Sequence, residues 1–514
     1  MKIIQKDIEK YHSTFYHIKH YSLITLLVFS FALKNSCCQN TIVKILPEDS
    51  RPGTFFGQFL KWNDNTAIIS AHLDFENGTA SGSVYFFDEK ENIFDQTQKY
   101  YPNDGAIEDY FGYSISTYGD FMIAGAHHDS DKGASSGAAY ILKRNENAWT
   151  LFQKIVPDDG KEADEFGNTV SMYGTWAAIC AYLNDDKGIN SGCVYLYHFD
   201  GTEWKFHSKI FPDNSEPYSM FGITIDMYDN LLIVGAPLQN GFGNDSGTAY
   251  IFSFRNNVWQ QEKELKPISL NDLDQYGSEV KITKEFAFVS AIKDDGKGLN
   301  SGAVYVFKNE SDSNWVFQQK IAPDDLLQGD GFGISLDANE SELFIGSYFD
   351  DDKGTNSGSV YYFRLINDHW KLIKKIIPDE VNESDAFGSS VSLGQNGLLA
   401  GAYSDDTNGF FSGAAYFIPR TLINSYSLDV EIISQNDIKV FPSLFFDQLN
   451  ILNLDPFENI EYNLINMNGF IIKNGVFKRD SLTLDMKDFP AGIYILQIRQ
   501  NKNFSNFKLV KTKF

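Results

Sequence analysis

Short runs of apolar and polar residues, separated by Gly, Pro, Asn and Asp, follow one another along most of the chain. One representative stretch contains four such runs, at Asn168 to Tyr173, Trp176 to Ala181, Cys193 to Phe199 and Trp204 to Ile210. Alternating polarity and many aromatic and β-branched side chains are typical of β-strands. No window of helical length shows the period of about 3.6 residues that marks an amphipathic helix. The pattern therefore predicts an all-β protein built from groups of four short strands.

This group of four runs recurs seven times with a period of 55 residues. Each copy begins with an aromatic residue followed by glycine, and later carries a Ser-Gly pair with a tyrosine three residues beyond the glycine. The aromatic residues are Phe56, Phe111, Phe166, Phe221, Tyr276, Phe332 and Phe387, and the tyrosines are Tyr85, Tyr140, Tyr195, Tyr250, Tyr305, Tyr361 and Tyr416. Such a long-period repeat is the signature of a solenoid, a propeller or an array.

The two ends of the repeat region favour a closed ring over a linear stack. A linear stack needs polar capping repeats at both ends, whereas a propeller leaves only short, protected sheet edges. The last copy stops after Tyr416 without a fourth strand, and an additional run from Thr41 to Ile45 precedes the first copy. Pro47 stands 55 residues before Pro102, so this run matches the fourth strand of the other copies. We predict a seven-bladed β-propeller in which the N-terminal strand completes the last blade.

The repeat also resembles a known family. Its Phe-Gly pairs, followed by sequences such as Ile123-Ala-Gly-Ala126, resemble the FG-GAP repeat, the blade unit of integrin α-subunit propellers and of many secreted bacterial proteins. The resemblance covers about residues 41 to 420. In the integrin-type repeat, an Asp-x-Asp-x-Asp-Gly calcium loop joins the first and second strands. Here a tight turn such as Tyr118-Gly-Asp120 occupies that place, so this calcium site of the family is not carried over.

The first 38 residues differ from the repeats in composition and in their hydrophobic pattern. Several lysines precede an apolar stretch from Ser22 to Leu33, and small residues follow it, which is typical of a secretory signal peptide. The stretch falls short of the roughly 18 to 20 residues that span a bilayer, so we favour a signal peptide over a membrane anchor. The predicted organisation is a signal peptide at 1–38, the propeller at 39–420, a linker at 421–434 and a small β-sandwich at 435–514. We therefore expect no membrane span in the mature chain.

The C-terminal segment carries its own recognisable sequences. Asp437-Ile-Lys-Val-Phe-Pro442, a Pro-Ala-Gly-Ile-Tyr run ending at Tyr494 and a basic end near Lys511 resemble the C-terminal sorting domain of the type IX secretion system of Bacteroidota. The resemblance implies contact with the outer-membrane secretion machinery and export through both membranes of a Gram-negative bacterium. It also implies removal of the tail, followed by release or attachment to surface lipopolysaccharide. An ordinary small β domain is the alternative.

Composition narrows the range of partners. The chain holds 43 basic and 68 acidic residues, a net charge of −25, which disfavours nucleic acid and anionic membranes as partners. Two cysteines, Cys180 and Cys193, lie outside the predicted signal peptide. They end one predicted strand and begin the next, so a disulfide and a pair of small buried thiols are both open interpretations.

Acidic residues recur in the connection between the second and third strands of the repeat, beside a glycine. In register they are Asp129 and Asp131, Asp185 and Asp186, Asp294 and Asp295, Asp350 and Asp352, and Asp405 and Asp406. A second acidic stretch follows each fourth strand, and both connections leave an up-and-down sheet on the same face. Calcium takes six to eight oxygen ligands, which such loops supply in part. Asp and Gly are equally common in plain turns, so calcium binding and turn formation are the two interpretations of this face.

No catalytic signature stands out. The chain has no zinc-protease, phosphate-loop or dinucleotide-binding motif. We interpret the isolated pair His127-His128 as a packing or solvated position. We predict a secreted or cell-surface binding protein, not an enzyme, whose acidic face takes a protein or glycan partner, with or without calcium. One alternative is a polysaccharide-active enzyme with a carboxylate pair in the propeller channel. A structural surface-layer component is the other.

Overall fold

The computed structural model describes residues 41–146, 148–267, 269–311 and 314–426, and in the tail 433–435, 438–441, 444–445, 448–453, 460–466, 469–477, 481–500 and 503–511. Within these residues it contains seven four-stranded sheets, one short helix and a smaller β domain. The predicted signal peptide, residues 1–38, lies outside the described residues. In the described part, no helix is long and apolar enough to cross a membrane.

The seven sheets, named blades 1 to 7, are built from consecutive strands. Strand β1 (Val43–Ile45) precedes blade 1, which comprises β2 (Leu60–Asn63), β3 (Thr66–Ala71), β4 (Ser83–Lys90) and β5 (Ile93–Tyr100). Blade 2 comprises β6 (Ile115–Tyr118), β7 (Phe121–Ala126), β8 (Ala138–Asn145) and β9 (Ala148–Ile155), and blade 3 comprises β10 (Phe166–Tyr173), β11 (Trp176–Ala181), β12 (Cys193–Phe199) and β13 (Trp204–Ile210). Blade 4 comprises β14 (Thr224–Tyr228), β15 (Leu231–Ala236), β16 (Thr248–Arg255) and β17 (Val258–Leu265). Blade 5 comprises β18 (Tyr276–Ile282), β19 (Phe286–Ala291), β20 (Ala303–Asn309) and β21 (Trp315–Ile321). Blade 6 comprises β22 (Ser335–Ala338), β23 (Glu342–Ser347), β24 (Ser359–Ile366) and β25 (His369–Ile376), and blade 7 begins with β26 (Phe387–Leu393), β27 (Gly397–Ala402) and β28 (Ala414–Pro419).

The N-terminal strand closes the ring as predicted. Strand β1 pairs antiparallel with β28, with Lys44 opposite Tyr416, and thereby becomes the fourth strand of blade 7. The first strand of each blade contacts the first strands of both neighbouring blades, and β2 of blade 1 contacts β26 of blade 7. The described strands therefore form a closed seven-bladed propeller, which confirms the fold predicted from the 55-residue period.

The glycines of the repeat lie where adjacent blades approach most closely. A Cβ atom on Gly137 would lie 2.0 Å from the carbonyl oxygen of Phe166 in the next blade, and Gly137 has a φ of +86°. The Phe166 N–H donates a hydrogen bond to the Ser136 carbonyl at 3.1 Å. The Ser-Gly pair of one blade thus binds the Phe-Gly pair of the next, and only glycine fits this approach.

The hydrophobic core lies between the blades. Trp149, at the start of the outermost strand of blade 2, is buried and stacks on Phe86 of blade 1, with their ring centroids 5.4 Å apart. The same cluster contains Ile68 from blade 1 and Met122 from blade 2. Each sheet therefore buries both of its faces against its neighbours, which explains the apolar and aromatic residues that the repeat carries.

The two cysteines of blade 3 are buried, unpaired thiols. Cys180 lies opposite Val194, whereas Cys193 lies opposite Ala181. Because side chains alternate along a strand, this register places the two thiols on opposite faces of the sheet. Cys180 accordingly packs in the core shared with blade 4 and Cys193 in another core cluster. The structure thus supports the buried-thiol interpretation, and burial raises the pKa of both thiols well above the usual value.

The tail forms a separate β domain with two sheets. The helix α1 (Arg420–Ser425) precedes it, and the sequence pattern did not predict this helix because six residues are too short to show a helical period. The strands are β29 (Ile433–Gln435), β30 (Ile438–Phe441), β31 (Leu444–Phe445), β32 (Gln448–Asn453), β33 (Ile460–Asn466), β34 (Ile471–Phe477), β35 (Ser481–Asp485), β36 (Gly492–Gln500) and β37 (Asn503–Lys511). One sheet has the order β29-β30-β32-β35 and the other β31-β37-β36-β33-β34. Leu464, Leu496 and Phe507 are fully buried in the core of this domain.

Candidate functional site

In blade 2, the acidic loop between the second and third strands contacts a lysine side chain. The Asp129 carboxylate is buried, and it accepts hydrogen bonds from the Asp131 N–H at 3.1 Å and from the Tyr140 hydroxyl at 3.1 Å. Lys154, on the outermost strand of the blade, places its Nζ 2.8 Å from both Asp129 and Asp131 and 2.9 Å from Asp104. Burial alone lowers the pKa of Lys154, but hydrogen bonds to these carboxylates outweigh it, so that its pKa lies above the usual value.

The same arrangement recurs around the ring. Equivalent ammonium groups lie 2.7 Å from Asp74 (Lys99), 2.7 Å from Asp186 (Lys209), 2.6 Å from Asp294 (Lys320) and 2.6 Å from Asp405 (Lys44). Lys44 belongs to β1, so the closing strand also supplies the cation of blade 7. In blade 4 the lysine position carries Glu264 and the aspartate position carries Gln239, which accepts the Tyr250 hydroxyl at 2.7 Å. Blade 4 thus lacks both charges, whereas blade 3 keeps Lys209 although Asn184 stands at the aspartate position.

The ten predicted aspartates fall into two groups and do not form one common site. Four begin their loop and are buried, each accepting a backbone N–H two residues later; they are Asp129, Asp294, Asp350 and Asp405. The other six lie in the exposed part of the loop; they are Asp131, Asp185, Asp186, Asp295, Asp352 and Asp406. Asp185 and Asp295 accept the N–H groups of Asn190 and Asn300 at 2.7 and 2.8 Å. These are the side-chain-to-backbone bonds of ordinary turns.

This arrangement does not present an open oxygen cage for calcium. In blades 1, 2, 3, 5 and 7 an ammonium group already contacts the loop carboxylates at 2.6 to 2.8 Å. A calcium ion, which prefers several oxygens at about 2.3 to 2.6 Å, would have to displace it. Calcium binding therefore stays a prediction, while the contacts favour the interpretation of these loops as turns fixed by ion pairs.

The acidic face also carries exposed apolar side chains, which the sequence reading had not singled out. They come from the loops after the second and fourth strands and are Phe75, Ile107, Ile189, Tyr218, Phe242, Leu273, Leu299, Leu327, Phe349 and Phe410. We call this set the apolar rim. Phe410 is 71% exposed and Ile107 is 67% exposed. The loops that carry these side chains pair between adjoining blades through backbone hydrogen bonds, as where the Tyr218 N–H donates to the Ile189 carbonyl at 2.7 Å.

The central channel holds a second concentration of charge. One side chain from each first strand lines it, namely Lys61, Ser116, Ser171, Asp226, Lys281, Asp337 and Ser392. Most of these oxygens connect neighbouring blades: the Met172 N–H donates to Ser116 Oγ at 3.0 Å, and the Ile282 N–H donates to Asp226 Oδ2 at 2.9 Å. Asp226 and Asp337 therefore accept a backbone hydrogen bond from the next blade, as the serines do.

Lys281 lies between these two aspartates, 3.3 Å from Asp226 and 3.1 Å from Asp337. Burial raises the pKa of nearby Glu279 to about 8, although Lys61 acts in the opposite direction. The channel residues line a cavity of about 410 Å³, which also contacts Tyr173 and its neighbours. The sequence pattern does not mark these channel residues, because single substitutions on a first strand leave the 55-residue spacing unchanged.

The seven four-stranded blades, which contact one another at the repeat glycines, form a β-propeller made of sequence repeats. A separate β domain follows it in the chain. The FG-GAP repeat profile matches seven segments, at residues 40–87, 94–142, 149–197, 204–252, 259–307, 315–363 and 370–418. Because these segments cover more than half of the chain, the protein belongs to the FG-GAP repeat family. The secretion system C-terminal sorting domain matches residues 439–512. This domain implies contact with the type IX secretion machinery, and it indicates export to the cell surface or extracellular space of a Gram-negative bacterium.

Two solved structures are similar to parts of the chain. A DUF3244 family protein with an immunoglobulin-like β-sandwich fold from Bacteroides vulgatus is 19% identical over 16% of this chain and 93% of its own, with a TM-score of 0.14. PorZ of Porphyromonas gingivalis, described as an essential bacterial surface component of the type-IX secretion system, is 11% identical over 92% of this chain and 68% of its own, with a TM-score of 0.31. No curated protein matches the chain. At these TM-scores neither structure identifies functional residues here.

Proposed function

We propose that the protein is an exported binding protein whose acidic face docks a partner, with no catalysis of its own. The observation that carries this proposal is the apolar rim on the loops of that face. Soluble proteins rarely expose apolar patches larger than a few hundred Å², and larger patches mark interaction sites. Outer-strand residues such as Ile93 and Val258 are also exposed, but they are not part of these paired loops.

The five aliphatic members of the apolar rim favour a protein over a glycan as the partner. Aliphatic members such as Ile107 and Leu299 gain free energy by contacting other apolar side chains, whereas a sugar finds no flat ring or hydrogen-bonding group on them. Exposed carboxylates lie in the same loops; the side chains of Asp131 and Asp159 are 55% and 58% exposed. A partner surface that carries both basic and apolar side chains therefore matches this face, and its association should slow as salt is added.

Site-specific photo-cross-linking in the producing bacterium tests this proposal. A photoreactive residue is placed at Ile107, Leu299 or Phe410 on the rim, or at the control positions Ile93 and Val258. We expect the rim positions to give adducts with one common protein and the control positions to give none. Equal labelling from both sets would contradict a docking face. A glycan partner would be supported instead by a different pair of results. The rim positions would give no adducts, and a glycan array would show saturable binding that Ile107→Asp abolishes.

A second candidate function is a polysaccharide-active site in the channel. The observation that favours it is Glu279, whose raised pKa of about 8 is the kind of value a general acid needs near neutral pH. Asp226 and Asp337 weaken this candidate because both already bind Lys281 and a backbone N–H of the next blade. Release of reducing sugar from extracellular polysaccharides by the native chain, lost in Glu279→Gln, would establish catalysis. Its absence would leave the binding function.

A further inference from the structure

Two histidines and a glutamate from neighbouring blades converge on the acidic face. His127 and His128 directly follow β7 of blade 2, and Glu165 directly precedes β10 of blade 3. One ligand atom of each residue lies within 4.8 Å of the others, and His128 Nε2 is 3.7 Å from Glu165 Oε1. Ligand atoms bound tetrahedrally to zinc at about 2.0 to 2.2 Å lie roughly 3.3 to 3.6 Å apart. A small contraction of the present arrangement would therefore bring all three atoms to one ion.

The backbone around these residues is fixed by contacts between the two blades. The Glu165 N–H donates to the Ser135 carbonyl at 3.1 Å, in the loop that follows the two histidines. Glu165 Oε2 accepts the Tyr182 hydroxyl at 2.8 Å, which leaves Oε1 directed toward His128. Orientation of a ligating carboxylate by an outer hydrogen bond is a common feature of metal sites.

His127 has an unsatisfied nitrogen at this position. The residue is only 5% exposed, and its Nδ1 is buried with no hydrogen-bond partner. Its ring lies against Tyr113 and Tyr110, with centroids 4.2 and 5.4 Å away. A buried imidazole nitrogen without a hydrogen-bond partner is available to bind a metal ion.

The cluster breaks the repeat at one place on the ring. His72 of blade 1 takes the position of His127 and also has a buried Nδ1 without a hydrogen-bond partner, but Leu73 and Tyr110 stand there in place of His128 and Glu165. In the blade that follows, Tyr182 and Met220 replace His127 and Glu165. Among the blade seams, only the one between blades 2 and 3 therefore brings together all three residues, His127, His128 and Glu165. A specialised site is expected to show such a restriction to one place in the repeat.

We propose that His127, His128 and Glu165 bind a single zinc ion at the seam between blades 2 and 3. Two histidines and one carboxylate are a ligand set suited to zinc, and three protein ligands leave a fourth position open. His128 and Glu165 are partly exposed, so that position faces solvent on the docking face. A partner side chain or a water molecule is the fourth ligand. The site does not depend on the proposed function, since metal binding is measured without a partner.

Zinc titration of the whole chain after chelator treatment tests the proposal. The readouts are calorimetry and competition with a chromophoric chelator, and Co²⁺ replaces Zn²⁺ to give a visible spectrum of tetrahedral type. We expect one Zn²⁺ per chain with a Kd at or below about 1 µM, and His128→Ala and Glu165→Gln should each weaken binding at least tenfold, about 1.4 kcal/mol. His207→Ala, which removes a histidine beside Trp176 of blade 3, serves as the matched control and should bind like the native chain.

Two results would overturn the zinc site. The first is no saturable Zn²⁺ binding by the native chain. The second is binding that persists unchanged in both His128→Ala and Glu165→Gln, since this would place the ion among the surface carboxylates. Far-UV circular dichroism of each variant shows whether it is folded, and Glu165→Gln preserves side-chain size, so a misfolded His128→Ala would still leave a decisive comparison.

Discussion

Replacing Lys154 by methionine isolates the contribution of the lysine to its loop. The change retains an apolar, unbranched side chain but removes the ammonium group that contacts Asp129, Asp131 and Asp104 at 2.8 to 2.9 Å. The side chain of Asp129 is 4% exposed, whereas those of Asp131 and Asp104 are 55% and 53% exposed. Only Asp129 is therefore left as a buried, uncompensated charge; the other two carboxylates are solvated.

The magnitude follows from this difference in burial. Removing one partner of a buried ion pair costs about 3 to 5 kcal/mol, and an exposed pair contributes at most about 1 kcal/mol. The Tyr140 hydroxyl still donates to Asp129, so we expect the lower end, about 3 kcal/mol. For a ring of this size each kcal/mol shifts the melting temperature by roughly 1 to 2 °C, which gives a decrease of about 3 to 6 °C.

Thermal unfolding followed by circular dichroism, with chelator and with millimolar CaCl₂, measures the effect. Lys132→Met, in the same loop and exposed, is the matched control and should change stability by less than about 0.5 kcal/mol. We expect calcium to raise the melting temperature of Lys154→Met, because the vacated carboxylates become available, and to leave the native chain unchanged. Equal melting temperatures for the two variants would refute the ion-pair reasoning. An equal calcium shift in the native chain would instead support calcium binding beside the lysine.

Three further predictions concern the channel, the blade contacts and the ring closure. Burial raises the pKa of Glu279 to about 8, so its stability contribution is present below about pH 4.5 and is lost as the pH rises through about 8. Glu279→Gln should therefore gain about 4 kcal/mol in stability relative to the native chain between pH 5 and pH 9 in urea unfolding. A constant difference between the two proteins would contradict this. Gly137→Ala forces a Cβ to 2.0 Å from the Phe166 carbonyl and should cost about 3 kcal/mol in the same assay, whereas Gly119→Ala, with no atom within 4 Å, should cost only about 1 kcal/mol. Deleting residues 41–46 removes β1 and leaves β28 unpaired, so we expect a lower melting temperature and self-association in size-exclusion chromatography; an unchanged monomer would show that closure is dispensable.

Most of the fold could be predicted from the sequence because its determinants repeat. The runs Trp176–Ala181, Cys193–Phe199 and Trp204–Ile210 are strands with the predicted bounds, and β10 begins two residues earlier than predicted, at Phe166. The repeat markers are glycines at the contacts between blades, and a steric requirement of this kind is satisfied by one residue type only. The missing fourth strand of the last copy likewise indicated closure, because a sheet edge left unpaired has to be covered.

The candidate sites depend on pairings that a periodic pattern does not contain. Acidic loops were visible in the sequence, but Lys154 binds Asp104 from 50 residues away, and only the folded blade brings the two together. The thiols of blade 3 were compatible with a disulfide until the register placed them on opposite faces of the sheet. Glu165 meets His128 because adjacent blades present their loops on one face. The sequence alone therefore determined the ring and its acidic side, since both follow from a local period. The tertiary structure decided which charges meet, because contacts between strands and between blades depend on register and on the position of neighbours in space.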